Sequence, residues 1–442
     1  MGLLTGVGHK HINGHKELTK DQNVEQIFTG DVVKEIYIPI VNNNAKEHTL
    51  LVNVGDEVKV GTKLAIQEGF LYVPVYSPVS GKIVAKENRY SNIIGRAVPH
   101  LKIENDFKYT YDTPLKTTTL ETATREEIIS LIKEAGIIGQ GGAGFPTFIK
   151  YEGAKDVDTL IINGCECEPY LTTDYTQGIA LADKVVKGIE LLLIACEAPV
   201  CKLCIKHHKN NPLKDALLKA IEGHEKIQLV EVKDVYPAGW ERVLIKMVTK
   251  REYDRLPVEA HVVVNNIQTC ISVCDALLEG KTIRSRVVTV SGDGIATNKN
   301  VEVPVGTPAN KIIEHLGGYT DENVSLLAGG PMTSKSQMKD EFVIERQMGG
   351  LTVLKFKKVV SEACLNCGSC TLHCPAHLQP VEVVNAVKAN DLARIEALNA
   401  NACIECGMCS GVCPSHIEVT DYMKKAKLKL KIAAAKAAPA KK

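Results

Sequence analysis

A chain of 442 residues is too long for one hydrophobic core and implies several domains. Its 53 basic and 52 acidic residues nearly cancel, and aromatics are sparse with a single Trp240, which excludes a nucleic-acid binder built on basic grooves and stacking platforms. Fifteen cysteines, eight of them between 364 and 413, point to metal or redox chemistry in a reducing compartment, because Met1–His15 lacks the apolar run of a secretory signal. The most apolar window, Ile189–Ala195, falls far short of the roughly 20 residues that a membrane-spanning helix needs. Any membrane attachment is therefore expected to come through partners.

Residues 1–30 read as a polar lead-in, with His9, His11 and His15 on a solvated segment rather than around a metal. From 31 to 110 short strands alternate with Gly/Pro turns: Glu35–Val41, Thr49–Val54, Lys63–Ile66, Tyr72–Tyr76 and Lys82–Ala85. The run VNVGDEVKVGTKLA followed by SPVSGKIV resembles the barrel-sandwich hybrid fold of lipoyl and biotinyl carriers. Those carriers bear their cofactor on a hairpin lysine. Here the hairpin reads Gln67-Glu68-Gly69-Phe70, so a structural module is expected.

Residues 120–282 alternate helix with strand. Thr124 and Glu127 form a capping box ahead of the apolar face Ile128, Leu131, Ile132, and Gly136 ends that helix. Strands Thr159–Asn163, Val200–Lys206 and Ile227–Lys233 are separated by helices near 178–195 and 212–222, which predicts a parallel, helix-covered, Rossmann-like sheet. Residues 284–356 return to strands (Arg286–Ser291, Asn300–Pro304) with one helix, Pro308–Leu316, and read as a small α+β module. The cysteine-rich stretch 360–422 is helical in pattern. The Lys- and Ala-rich tail, 423–442, is expected to be disordered and solubilising, with contact to an anionic leaflet as the alternative.

The pattern C-x-x-C-x-x-C-x-x-x-C-P occurs twice, at Cys364–Pro375 and Cys403–Pro414. A [4Fe–4S] cubane needs four converging thiolates; three come from the tight turn, and in two-cluster ferredoxins the fourth comes from the other motif. One cluster is therefore expected on Cys364, Cys367, Cys370 and Cys413, and the other on Cys403, Cys406, Cys409 and Cys374. Structural zinc, which uses paired C-x-x-C motifs, does not require a third and fourth cysteine at these offsets. The 28 residues between the motifs make this an α-helical ferredoxin variant.

Gly139-Gln140-Gly141-Gly142-Ala143-Gly144-Phe145-Pro146 lets the backbone approach a ligand and aim N–H groups at phosphate. It precedes the first strand of its region, whereas a Rossmann fingerprint follows it. The segment GxGGAGFPTxxK resembles the loop of the FMN-bearing, NADH-oxidising subunit of respiratory complex I. Asn163-Gly164-Cys165-Glu166-Cys167-Glu168-Pro169 is similar to that family's N-A-D-E-x-E-P, Tyr236-Pro237-Ala238-Gly239-Trp240-Glu241 to Y-x-x-G-x-E, and Val264–Thr269 to V-N-N-V-E-T. Cys165 and Gln268 depart from the pattern. The resemblance implies FMN held by Gly139, Gly141, Gly142, Gly144, Lys150, Asn163, Glu166, Tyr236, Gly239, Asn265, Asn266 and Thr269. It implies NADH held by Phe145, Glu168 and Glu241. No protein nucleophile or base is required, since a flavin accepts a hydride and releases electrons singly.

The order barrel-sandwich hybrid, flavin module, β-grasp soluble-ligand-binding module and 2[4Fe–4S] segment resembles the RnfC family of Rnf electron-transport complexes, over nearly the entire chain. That implies a peripheral NADH-oxidising subunit at the cytoplasmic face of a membrane. Its implied partners are an iron–sulfur subunit and integral membrane subunits, with ferredoxin reached indirectly and ion transport coupled to the electron flow. The alternatives are a microcompartment cobalamin reductase, which has the reverse module order, and an electron-transfer subunit without flavin chemistry. Cys201 and Cys204, spaced C-x-x-C on a predicted strand, should face opposite sides and share no metal. Cys165, Cys167, Cys270 and Cys274 are expected to be small buried thiols, the alternative being that they tune the flavin or hold a further metal.

Overall fold

The structure, a computed structural model, describes residues 23–41, 47–142 and 144–437; His9, His11, His15 and the HKEL run lie outside them. The first module is built on two antiparallel sheets. One orders strands Glu35–Pro39, Arg96–Asn105, Gly81–Ser91 and Glu57–Val58, and the other His48–Leu50, Lys63–Gln67 and Val73–Tyr76. Between them sit Ile36, Ile38, Leu64, Val75, Ile83, Leu101 and Ile103, all under 3% exposed. The hairpin of Gly81–Ser91 with Arg96–Asn105 is far longer than the expected Lys82–Ala85, and its second strand was not anticipated.

In the second module Thr124 caps the helix Arg125–Glu134, accepting the N–H of Glu127 at 3.2 Å, and Gly136 adopts φ 65° beyond it. Four strands form a wholly parallel sheet: Ile227–Val232, Val200–Lys206, Thr159–Gly164 and Val262–Asn266. Period-two alternation splits it into two faces. Leu160, Ile162, Leu203 and Val263 meet the helices Ala182–Cys196 and Ile267–Glu279, while Ile161, Val262 and Val264 meet Leu244 and Ile245 of Glu241–Thr249. The helix expected near 178–195 is two, Thr173–Ala180 and Ala182–Cys196.

The third module is a six-stranded sheet in the order Val24–Gln26, Lys299–Pro304, Ser285–Ser291, Gly350–Lys355, Val324–Leu327, Ser336–Gln337. Its core (Val288, Val290, Val301, Val303, Ile312, Leu351) is continuous with that of the first module. The joint is specific. The N–H of Tyr37 donates to the carbonyl of Gly306 at 2.9 Å, and buried Glu345 accepts Ser91 Oγ and the N–H of Asn92, each at 2.9 Å. Two buried arginines bind the other modules: Arg346 donates to the carbonyl of Pro74 at 3.2 Å, and Arg286 to the amide oxygen of Gln140 in the glycine loop. The edge strand Val24–Gln26 pairs with Lys299–Pro304 across the whole first and second modules, within what reads locally as a lead-in.

The cysteine-rich module packs helices Pro380–Lys388 and Leu392–Ala397 against Val419–Ala437 around Val383, Ala386, Ile395, Met423, Ala426 and Leu430. The expected disordered tail is corrected here: residues 424–437 continue this last helix, because Met423, Ala426 and Leu430 recur at helical spacing and are buried. No helix among the described residues is long and apolar enough to cross a membrane.

Candidate functional site

Taken in chain order, the four parallel strands stand 3-2-1-4 across the sheet. The order therefore reverses between Thr159–Gly164 and Val262–Asn266, and the carboxyl ends of strands flanking such a reversal open a crevice for ligands. Asn163, Asn265 and Asn266 occupy those ends. Asn163 Nδ2 donates to the carbonyl of Gly239 at 2.7 Å, which brings the Tyr236–Glu241 loop over the crevice. Asn266 caps the helix Ile267–Glu279 through the N–H of Gln268 at 2.8 Å and donates to the carbonyl of Asn163 at 3.3 Å.

The glycine loop borders this crevice. Its neck is closed by the N–H of Gly139 on the carbonyl of Phe145 at 2.8 Å, and the N–H of Gln140 donates to Thr269 Oγ1 at 3.1 Å. Gly141, at φ 75°, comes so close that a Cβ there would stand 3.4 Å from Asn266 Nδ2. Gly142 is exposed, and a Cβ on it would meet nothing within 4 Å. Gly144, at φ 65°, turns the chain back. Lys150 Nζ donates to the carbonyl of Val264 at 2.7 Å, beside Glu241 at 3.8 Å.

Below the crevice lies a carboxylate pair. Glu166 accepts Thr173 Oγ1 at 3.0 Å and the N–H of Asp174 at 3.2 Å. Asp174 accepts Asn266 Nδ2 at 2.7 Å and Gln268 Nε2 at 2.6 Å. Burial, and then the neighbouring Glu166, push Asp174 up to about 7. Asp174, Gln140 and Arg286 were not anticipated as parts of this region. An acid at the start of a helix reads from sequence as an ordinary capping residue, which conceals it.

The residues fit a flavin on one independent observation. Asn265 Oδ1 and Thr147 Oγ1, both at the crevice, are buried without a hydrogen-bond partner, and such atoms are rare unless a ligand or water satisfies them. The three residues expected to hold NADH have separate surroundings. Phe145 is 36% exposed. Glu241 accepts the Tyr253 hydroxyl at 3.1 Å. Glu168 is turned to the third module, accepting the N–H groups of Met332 at 2.8 Å and Thr333 at 3.1 Å.

The two cysteine loops are near-copies in backbone. Asn366 and Glu405 are left-handed at φ 52° and 58°, Gly368 and Gly407 at 73° and 78°, and His377 and His416 at 55° and 52°. The N–H two residues beyond the first cysteine points at its sulfur in each: Asn366 to Cys364 at 3.4 Å, Glu405 to Cys403 at 3.3 Å. The fourth cysteines repeat this, with Leu378 on Cys374 and Ile417 on Cys413, both at 3.4 Å. Such N–H···S contacts stabilise thiolate sulfur. Cys374 from the first motif and Cys403, Cys406 and Cys409 from the second line one cavity. Cys364 is carried to the Cys413 loop by Ser415, whose Oγ donates to the carbonyl of Ala363 at 2.9 Å. Among the described residues no three ligand-type side chains close on a single ion. Cysteines spread around a cavity suit a polynuclear cluster, whereas mononuclear zinc draws its sulfurs to about 2.3 Å from one centre.

The remaining cysteines divide by strand face as expected. Cys201 packs with Cys196 and Cys270 in the core on one side of the sheet, and Cys204 with Cys165 on the other. Cys270 and Cys274 are buried on Ile267–Glu279, and burial raises both thiols.

Four families match the chain in order: the RnfC barrel sandwich hybrid domain over 5–108, the Nuo51 FMN-binding domain over 132–275, the SLBB domain over 287–335 and the 4Fe-4S dicluster domain over 357–414. The RnfC-type component of the Na(+)-translocating ferredoxin:NAD(+) oxidoreductase complex of Acetobacterium woodii is 32% identical over 87% of this chain and 89% of its own length. The corresponding component of the proton-translocating ferredoxin:NAD(+) oxidoreductase complex of Clostridium ljungdahlii is 32% identical over 84% and 82%. That of the ion-translocating oxidoreductase complex of Rhodobacter capsulatus is also 32% identical, over 87% and 75%. A solved NAD+-reducing [NiFe]-hydrogenase overlaps 66% of this chain and 60% of its own at 18% identity, with a TM-score of 0.49, too loose to argue from. With 32% identity sustained along nearly the whole of two relatives, and all four modules in their order, the chain belongs to the RnfC family of Rnf complex subunits.

Proposed function

We propose that this chain oxidises NADH, or in reverse reduces NAD+, as the peripheral subunit of a membrane-bound ferredoxin:NAD+ oxidoreductase. The observation that carries the reading is the direct packing of the flavin-module loop on the cysteine loops. Tyr236, Cys406 and Met408 form one buried cluster with Cys167, Trp240 and Met332 against it.

Bound FMN would supply the change from two-electron hydride chemistry to single electrons. The chain's own part is to hold and orient. Gly141, Gly142 and Gly144 leave room for a phosphate, Asn163, Asn265 and Asn266 offer amides at the strand ends, and Thr269 and Glu166 fix the surrounding backbone. Asp174 holds the Asn266 amide in one orientation. Cys364, Cys367, Cys370 and Cys413 would hold one [4Fe–4S] cluster, and Cys374, Cys403, Cys406 and Cys409 the other. The second set lies nearer the flavin module, since Cys406 touches it, while Cys364 and Cys367 are exposed. Electrons would leave for an iron–sulfur partner protein of the complex. Ion transport would belong to integral membrane subunits at whose cytoplasmic side this chain sits.

Anaerobic purification with flavin and iron quantitation, followed by NADH oxidation with an artificial acceptor, tests this reading. A chain that carries clusters but retains no flavin and does not oxidise NADH contradicts it.

A further inference from the structure

One cleft has no part in the path above. It encloses about 730 Å³, opens widely to solvent where three modules meet, and is lined among others by Trp240, Lys335, Lys424, Lys427, Leu428 and Lys431. Four of these recur at i, i+3, i+4 and i+7 along Val419–Ala437 and so share one helix face. Leu428 is 56% exposed, and Ile432, one turn on, is 46% exposed, so lysines surround an apolar strip. The one acid lining the cleft, Glu405, is taken by Lys427. Lys424 reaches Asp421 only at 3.9 Å, and among the described residues Lys335 and Lys431 have no carboxylate partner. The wall belongs to a cysteine loop: Lys427 Nζ donates to the carbonyl of Cys403 at 3.0 Å.

We propose that this cleft is a docking site for an acidic iron–sulfur carrier protein, which exchanges single electrons with the cluster of Cys374, Cys403, Cys406 and Cys409. The inference rests on the electron-transfer reading above and adds a second point of exchange, away from the exposed Cys364 and Cys367. Charge complementarity selects the partner: lysines around an exposed leucine match carboxylates around an apolar centre, the arrangement that steers transient redox encounters. A dinucleotide site would enclose most of its ligand, and this cleft stays open. One electron crosses per encounter, one cluster gaining what the other loses, with no bond made or broken.

The test uses the full chain with both clusters reconstituted and an acidic 2[4Fe–4S] ferredoxin as probe, with binding measured at low and high salt. Lys424→Glu with Lys431→Glu is expected to weaken binding about tenfold or more at low salt and to flatten the salt dependence. Leu428→Ala is expected to weaken it about threefold at any salt. Iron content and NADH oxidation with an uncharged quinone should be unchanged, so a loss there would strike the electron-transfer reading instead. Unchanged ferredoxin affinity in the double variant overturns the proposal. So does displacement of ferredoxin by ADP, which would mark a nucleotide subsite, or self-association of the wild-type chain that the double variant abolishes.

Discussion

The hydroxyl of Tyr236 donates a hydrogen bond to the backbone carbonyl of Cys406. One residue belongs to the loop that overhangs the strand-end crevice and the other to the second cysteine loop, so a single bond spans the two halves of the proposed electron path. Burial raises the Tyr236 phenol far above its ordinary range, and it stays a neutral donor across physiological pH.

Tyr236→Phe keeps the ring and removes the donor, which leaves the Cys406 carbonyl without this partner. The expected cost is about 1–3 kcal/mol of stability, accompanied by slower reduction of the clusters by NADH at unchanged flavin content. Calorimetry and stopped-flow spectroscopy check the two effects, and unchanged cluster reduction would dismiss the bond as purely structural.

Crossed ligation makes an asymmetric prediction. Cys374→Ser should remove the cluster nominally belonging to the second motif, and Cys413→Ser the one belonging to the first, each with about half the iron. EPR of the reduced variants distinguishes the two surviving signals. Loss of the same signal from both variants would contradict the assignment.

Two glycines separate packing from binding. A Cβ on Gly188 would stand 2.1 Å from the carbonyl oxygen of Cys270, where the helices Ala182–Cys196 and Ile267–Glu279 cross. Gly188→Ala should therefore cost about 1–3 kcal/mol or more through overpacking. Gly142→Ala meets nothing, so it should leave thermal stability alone and weaken flavin retention. Thermal melts and flavin release by ultrafiltration read the two separately.

Asp174 gives the pH dependence a sign. Its folded-state value, pushed up to about 7 from 3.8, means that the folded chain holds this proton more tightly than the unfolded chain. Its contribution to stability is therefore full below about pH 4 and is lost as pH rises through about 7. Asp174→Asn should flatten that interval in denaturant titrations across pH. It should also disturb the Asn266 and Gln268 amides, both of which donate to the carboxylate.

Much of this was legible in the residues, for stated reasons. The cysteine spacing carries the cluster chemistry, and strand alternation alone separates Cys201 from Cys204. What escaped were relations with no local signature. Val24–Gln26 finds its partner strand some 276 residues away. Arg286 and Arg346 look like surface charges but are buried against carbonyl and amide oxygens of other modules, where burial lowers both to about 10. The tail was misjudged on its lysines, although lysine, alanine and leucine are all good helix formers and the buried Met423, Ala426 and Leu430 mark the inward face. Glu168 was assigned to a nucleotide by its motif, yet it is bound by backbone of the third module, a contact that only the tertiary arrangement creates.

The central claim is that flavin and clusters form one continuous path in this chain. Anaerobic addition of NADH to the purified, cofactor-replete protein, with rapid freezing and EPR, tests it most directly. The account predicts that NADH bleaches the flavin and that the signals of reduced [4Fe–4S] clusters then appear, the one requiring Cys374 first. Clusters that stay silent with NADH, in a flavin-containing protein whose clusters a strong chemical reductant does reduce, would contradict it.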